Sequence, residues 1–156
     1  MAKRPFDTKV LKLLYQGIIA LWFGAPLPFR FMSGRREKKL VAIVDDNESV
    51  RSALQGLMKA VGLPARAFAS AEAFLESCQR EETGCLITDI RMPGMSGLEL
   101  QAALAADQSN IPIIFITAHG DEKMRMQAMR AGALEFVAKP FDDEALVVSV
   151  RAVLES

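Results

Sequence analysis

Thr88-Asp89-Ile90-Arg91-Met92-Pro93-Gly94-Met95-Ser96-Gly97 decides how the rest of this chain is read. Just ahead of it, Cys85-Leu86-Ile87-Thr88 is a short apolar run with a β-branched tail, the pattern of a buried strand. Pro93, Gly94 and Gly97 punctuate the next ten residues and forbid the strand from continuing. Asp89 therefore stands where a strand ends and a tight loop begins. In an open α/β sheet that rim is where ligands bind. One Asp at a strand end carries little meaning; the residues that converge on the same rim supply it.

Upstream, Leu40 to Val44 is a continuous apolar run bounded by charges, suited to a strand buried on both faces, and it ends in Asp45-Asp46. Asn47 is placed to cap a helix whose Val50, Ala53, Leu54, Leu57, Met58 and Val61 recur at helical spacing and which Gly62 closes. Leu63 to Ala69, carrying Pro64, reads as a weaker second strand. Ser70 caps a short helix with Ala71, Phe74, Leu75 and Cys78 along one side, and Glu81-Glu82-Thr83-Gly84 reads as the turn into the Asp89 strand.

Downstream, Leu98 to Ala106 is rich in strong helix formers. Ile111 to Thr117 is the most β-branched run in the chain. Asp121 caps a helix through Met124, Ala128 and Met129 that Gly132 closes, and Leu134 to Ala138 forms a fifth strand ending at Lys139-Pro140. Asp142 opens a final helix with Leu146, Val147, Val150, Val153 and Leu154 facing inward.

Five strands alternating with five helices make an α/β domain: a doubly wound five-stranded parallel sheet with right-handed crossovers and helices on both faces. The strand order 2-1-3-4-5 fits best and puts the switch point between strands 1 and 3. Asp45, Asp46 and Asp89 end those two strands. Each alone would be a cap or a turn residue. Together, at about 4 Å, like charges repel by roughly 4 kcal/mol at a surface-like dielectric. Lys139, ending strand 5, supplies one compensating charge, and a hard divalent cation would supply the rest. Mg²⁺ suits carboxylates plus a phosphate oxygen better than Zn²⁺, since no His or Cys stands near. A carboxylate beside Mg²⁺ and a Lys is poised to attack phosphorus, and Thr117 offers a hydroxyl to a phosphoryl oxygen.

The 156 residues support one domain with a short appendage, and 19 basic against 19 acidic residues leave no global field favouring nucleic acid or an anionic membrane. Cys78 and Cys85 fit neither a disulfide framework nor a metal site and read as two small buried hydrophobes in a reducing compartment. Residues 1–36 are the odd end: Lys3, Arg4, Lys9 and Lys12 precede an apolar run broken by Gln16 and Gly17, too short and polar for a membrane span of about 20 residues. Three readings stand open for it. Residues 1–31 are an upstream stretch before a true start at Met32, or a membrane-surface or partner-binding helix, or a cleaved export signal. In each, residues 1–36 lie outside the fold and 37–156 make the domain.

The ordered set Asp45-Asp46, Asp89-x-x-Met92-Pro93-x-x-x-Gly97, Thr117-Ala118 and Lys139-Pro140, each at a strand end, resembles the receiver domains of two-component response regulators across residues 40–156. Thr117-Ala118-His119-Gly120-Asp121 and Lys139-Pro140-Phe141 look most like receivers of LuxR-type transcription regulators. The resemblance implies that Asp89 is the phosphoacceptor for a sensor histidine kinase, in a Mg²⁺-dependent reaction. It implies that Asp46 and Asp89 bind Mg²⁺ directly, Asp45 through water, and Arg91 through its main-chain carbonyl. Thr117 and Lys139 would contact the phosphoryl oxygens. Phe136 takes the place of the aromatic switch residue that turns inward with Thr117; lacking a hydroxyl, it can act through packing alone. Arg91 and His119 stand two residues beyond Asp89 and Thr117, where receivers tune phosphoryl lifetime. The plainer reading of His119 is a solvated loop residue.

LuxR-type regulators continue into a DNA-binding domain, whereas this sequence stops at Ser156. The expectation is therefore a stand-alone cytoplasmic receiver, or a fragment of something longer, with no direct nucleic-acid contact. Its output would pass through the face of helix 4, strand 5 and helix 5 to a downstream protein, a histidine phosphotransfer protein or a second copy in a phosphorylation-dependent homodimer. Membrane contact is expected only if the N-terminal extension is genuine. Beyond catalysing its own phosphorylation and dephosphorylation, no enzyme activity is implied. A haloacid-dehalogenase-like phosphatase would need a second Asp at position 91, which is Arg. A flavodoxin-like cofactor binder would need a phosphate loop where Asp45-Asp46-Asn47-Glu48 repels one. The remaining alternative is a pseudo-receiver that binds partners without phosphorylation.

Overall fold

Along the central strands, alternate residues enter two different cores. The strand Leu40–Val44 (β1) sends Ala42 and Val44 into one and Val41 and Ile43 into the other, all fully buried. Thr83–Thr88 (β3) divides Leu86 from Cys85 and Ile87 in the same way, and Ile113–Thr117 (β4) divides Ile113 and Phe115 from Ile114 and Ile116. Side chains alternate across a strand, so a run covered on both faces is apolar at successive positions, as residues 41–44, 85–87 and 113–116 are. The flanking strands Ala65–Phe68 (β2) and Glu135–Ala138 (β5) are shorter and only partly buried. All four neighbouring pairs are parallel, in the order β2-β1-β3-β4-β5. This is the expected doubly wound sheet, seen in a computed structural model that describes residues 39–118 and 120–156.

Helices α1 (Glu48–Ala60) and α5 (Asp143–Leu154) cover one face with Leu54, Met58, Leu146 and Val150. Helices α2 (Ala71–Glu76), α3 (Gly97–Ala106) and α4 (Glu122–Arg130) cover the other with Ala71, Phe74, Leu100, Leu104 and Ala128. Each cap expected from the sequence is made. Asn47 accepts from the Ser49 and Val50 N–H groups, Ser70 from Ala73, Asp121 from Met124 and Asp142 from Ala145. Such side chains satisfy the orphan donors of a first helical turn. Helix α3 adds a full capping box, in which the Glu99 N–H donates to the Ser96 hydroxyl and the Ser96 N–H to the Glu99 carboxylate. Hydrogen bonding to that carboxylate, from the Ser96 N–H first and the Ser96 side chain second, holds the Glu99 carboxyl below its ordinary value.

The structure corrects the region between β2 and β3. Helix α2 ends at Glu76, because Ser77 is extended (ψ 138°) and its hydroxyl instead starts a short 3₁₀ turn, Cys78–Glu82, by accepting from the Gln79 N–H. Cys78 is thus turned out to solvent, against the expectation that both cysteines are buried. Thr83 and Gly84 are strand rather than turn: Leu40 pairs with Thr83, and the buried Thr83 hydroxyl donates to Gln79 O. Leu134 stands outside β5 and is exposed.

Among the described residues no helix is long and apolar enough to cross a membrane. The three readings of residues 1–36 concern a segment outside the described residues.

Burial pushes the Cys85 thiol up to about 12, so it is both inaccessible and protonated at neutral pH. A thiol reagent at neutral pH should therefore modify one cysteine, Cys78, in the native protein and both after unfolding. Peptide mapping checks this, and rapid native labelling of Cys85 would contradict the packing described.

Candidate functional site

Strand register brings two acidic segments to one level. Val44 pairs with Thr88, so the next residues, Asp45 and Asp89, leave the sheet side by side, and the Asp89 N–H donates to Val44 O at 3.0 Å. Asp45 is buried, Asp89 half-buried and Asp46 exposed; one carboxylate oxygen from each lies within 4.8 Å of the others. At that separation each pair of charges repels by roughly 3 to 4 kcal/mol at a surface-like dielectric.

Local donors hold these carboxylates in place. Asp45 Oδ1 accepts from the Asn47 N–H at 2.8 Å, and Asp89 Oδ1 from the Ile90 N–H at 2.6 Å and the Arg91 N–H at 3.4 Å. Lys139, the residue after β5, donates from Nζ to Asp45 Oδ2 at 3.1 Å and stands 3.6 Å from Asp89 Oδ2. Its side chain is 18% exposed and that of Asp45 only 4%, so this pair is largely removed from water, where charge-assisted bonds are strong. The Lys139 N–H is fixed on Thr117 O at 3.0 Å, and the Lys139-Pro140 peptide is cis. One ammonium against three carboxylates leaves the cluster net negative.

Two further residues, neither expected to bind metal or phosphate, shape the site. Arg51, in the second turn of α1, donates from Nη1 to Asp45 O at 2.8 Å and to Asp46 O at 3.0 Å, clamping the backbone of the acidic pair. Its sequence signal is its place one turn inside a helix capped by Asn47, from which a long side chain reaches back over the cap. Gly97, expected to act as a strand breaker, has a steric role instead. A Cβ there would overlap the Asp89 carbonyl oxygen, and its N–H donates to Ile90 O at 2.8 Å. Helix α3 can start against the Asp89 turn only with glycine at this position.

Thr117 is buried at the end of β4, one strand over from Asp89. Phe136 is half-buried on β5 opposite Phe115, with ring centroids 6.2 Å apart. The loop after β4 lies on both: a Cβ on Gly120 would stand 2.5 Å from the Phe136 ring and 2.6 Å from Thr117 Cγ2. The Arg91 side chain is exposed, and His119 lies outside the described residues. Asp45, Asp46, Asp89 and Lys139 are thus in one cluster, with Thr117 and Phe136 joined beside it.

Among the described residues, the side chains that could ligate a metal here offer carboxylate oxygens alone. That donor set fits a hard divalent cation such as Mg²⁺, and not a metal that prefers sulfur or imidazole.

A sheet of order 2-1-3-4-5 with an acidic crevice at its switch point defines a flavodoxin-like α/β domain whose ligand rim is anionic. Residues 41–151 match the family model described as response regulator receiver domain, and the chain belongs to that family. It is 44% identical over 126 residues to the response regulator protein TodT of Pseudomonas putida, covering 81% of this chain and 55% of that protein. It is 46% identical over 118 residues to nodulation protein W of Bradyrhizobium diazoefficiens, covering 76% and 52%. Among solved structures, FixJ-N superposes with a TM-score of 0.68 at 43% identity, over 74% of this chain and 93% of that one. The response regulator StyR superposes at 0.69 and 48%, over 74% and 59%. The chain spans about half the length of the curated relatives it matches.

Asp46 is exposed, so Asp46→Asn removes one crowded charge without opening a cavity. The metal-free variant should melt a few degrees above wild type, about the effect of 1 kcal/mol on a domain of this size. A cation taken up by the native cluster and not by the unfolded chain stabilises the fold, so millimolar Mg²⁺ should raise the wild-type Tm and should raise the variant less. Calorimetry in EDTA and in Mg²⁺ reads both. A variant no more stable than wild type without metal would show that the carboxylates do not strain one another.

Proposed function

We propose that this chain takes a phosphoryl group from a sensor histidine kinase onto Asp89 in a Mg²⁺-dependent reaction, and signals through phosphorylation-dependent contacts with other proteins. One observation carries the reading: Lys139 Nζ sits on both Asp45 and Asp89, within a cluster of three carboxylates at the sheet's switch point. Phosphoryl transfer asks a protein mainly for position and charge neutralisation, and this rim offers both.

Asp89 Oδ1 is engaged by the Ile90 N–H, which leaves Oδ2, on the Lys139 side, as the attacking oxygen. An O–P bond forms there while the P–N bond of the kinase phosphohistidine breaks. The leaving imidazole keeps the electron pair and takes up a proton. Asp46, Asp89 and the Arg91 carbonyl, with Asp45 through water, would hold Mg²⁺, which would supply positive charge to offset the carboxylates and the phosphoryl oxygens. The Lys139 ammonium and the Thr117 hydroxyl take the phosphoryl oxygens. Arg91, two residues beyond Asp89, would tune the group's survival against water; the same role expected of His119 falls outside the described residues.

The readout runs from Thr117 to Phe136. Because the Gly120 backbone rests on both, a Thr117 drawn toward the phosphoryl group changes the space available to the Phe136 ring. Lacking a hydroxyl, Phe136 acts by packing. The face of α4, β5 and α5 carries the output, and exposed Met126, Met129 and Leu134 make it adhesive. A downstream protein, a histidine phosphotransfer protein or a second copy would dock there. No direct nucleic-acid contact is part of this reading, and membrane contact would involve residues 1–36 alone.

Incubation with acetyl phosphate and Mg²⁺, followed by intact mass, tests the acceptor. Wild type should gain one phosphoryl mass and Asp89→Asn none; EDTA should abolish the gain. Lys139→Ala should slow labelling by roughly 10²-fold, the scale of losing one electrostatic stabiliser. No gain in wild type would favour a receiver that binds partners without phosphorylation, and a gain retained by Asp89→Asn would move the acceptor elsewhere.

A further inference from the structure

The loop between β3 and α3 is gripped by a side chain from another helix. Glu72, in the first turn of α2, accepts from the Met95 N–H at 2.8 Å, 23 positions away in the chain. The same Oε1 lies 2.7 Å from where a Cβ on Gly94 would stand. Gly94 has φ +76°, a left-handed backbone that favours glycine, and a Cβ there would displace the end of the Glu72 side chain. The loop is otherwise fastened at its two ends. Asp89 Oδ1 holds the Ile90 and Arg91 N–H groups, while the Ser96–Glu99 capping box and the Gly97 N–H hold the start of α3. Glu72 pins the middle, where Met95 packs half-buried against the core.

We infer that Glu72 is a positioning residue for the acceptor site, holding the β3–α3 loop, and with it the Arg91 carbonyl, where a cation beside Asp89 can be received. This rests on the reading of Asp89 as phosphoacceptor. Groups that orient ligands from outside the coordination sphere typically change metal affinity by about tenfold or more when removed.

Glu72→Ala deletes the acceptor, whereas Glu72→Gln keeps a carbonyl oxygen in its place. In Glu72→Ala, calorimetric titration should show Mg²⁺ bound about tenfold more weakly, and acetyl phosphate labelling at subsaturating Mg²⁺ should slow to match. Glu72→Gln should stay within about twofold of wild type, since a neutral acceptor still takes the Met95 N–H. Without any metal, amide hydrogen exchange at Met95 should accelerate about tenfold in Glu72→Ala while the amides of β1 and β4 keep their protection. Wild-type Mg²⁺ affinity and Met95 protection in Glu72→Ala would overturn the inference. So would an equal loss in both variants spread over the whole sheet, the mark of a merely structural α2. A wild type that takes no phosphoryl group overturns the acceptor reading instead, and the Met95 exchange still decides whether Glu72 anchors the loop.

Discussion

Three carboxylates crowded at the carboxyl ends of two adjacent parallel strands are the constraint to which the rest of this domain answers. Pairing of Val44 with Thr88 leaves Asp45 and Asp89 no choice but to emerge together. Their repulsion is contained by donors drawn from four places. The Asn47 and Ile90 N–H groups come from the turns themselves, Arg51 from α1, and Lys139 from the end of β5, 94 residues away from Asp45. Asp45 is almost wholly out of water, so the pair with Lys139 is less a source of net stability than a necessity. An unpaired charge at that depth costs more than the pair contributes. A site held this way is biased toward taking up a cation, because uptake relieves a strain that folding imposes.

Around that cluster the two sides of the rim are built differently. On the β3 side the fit is tight: Gly97 against the Asp89 carbonyl leaves no room for a side chain, and the Glu72 carboxylate fills the space beside Gly94. On the β4–β5 side the contacts are between a loop and two side chains, Gly120 resting on the Phe136 ring and on Thr117. Packed cores shift between discrete arrangements rather than yielding smoothly. A fixed carboxylate on one side and a repackable aromatic on the other is the division of labour that a phosphorylation-driven signal would need.

Global charge is blind to all of this. Nineteen charges of each sign cancel over the chain, yet the switch point is strongly acidic because topology gathers residues 45, 46 and 89 while bringing a single ammonium to meet them. Membership of the receiver family, and likeness to TodT and nodulation protein W, agrees with what strand ends and charge imply on their own. The relatives are nearly twice as long as the matched region, so the family describes the domain and not what it reports to.

Strand order, the acidic rim, Lys139 at its edge and the caps Asn47, Ser70, Asp121 and Asp142 were all legible in the sequence. Each depends on local signals: apolar runs of strand length, polar residues just before helical periods, glycines that end them. What the sequence could not disclose is long-range and polar. Nothing in the period of α2 distinguishes Glu72 from any solvated glutamate, and only the folded sheet sets its carboxylate beside Met95 and Gly94. Gln101 reads as an ordinary helix residue, yet it is buried and donates to Ala128 O across two helices. Cys78 looks like the inner face of a helix that in fact stops two residues earlier, where Ser77 finds a competing turn. Hydrophobic period is fixed by neighbours in sequence and so survives reading one residue at a time. A hydrogen bond between elements exists only once the chain has closed around it, which is why tertiary structure alone decided how the β3–α3 loop is held.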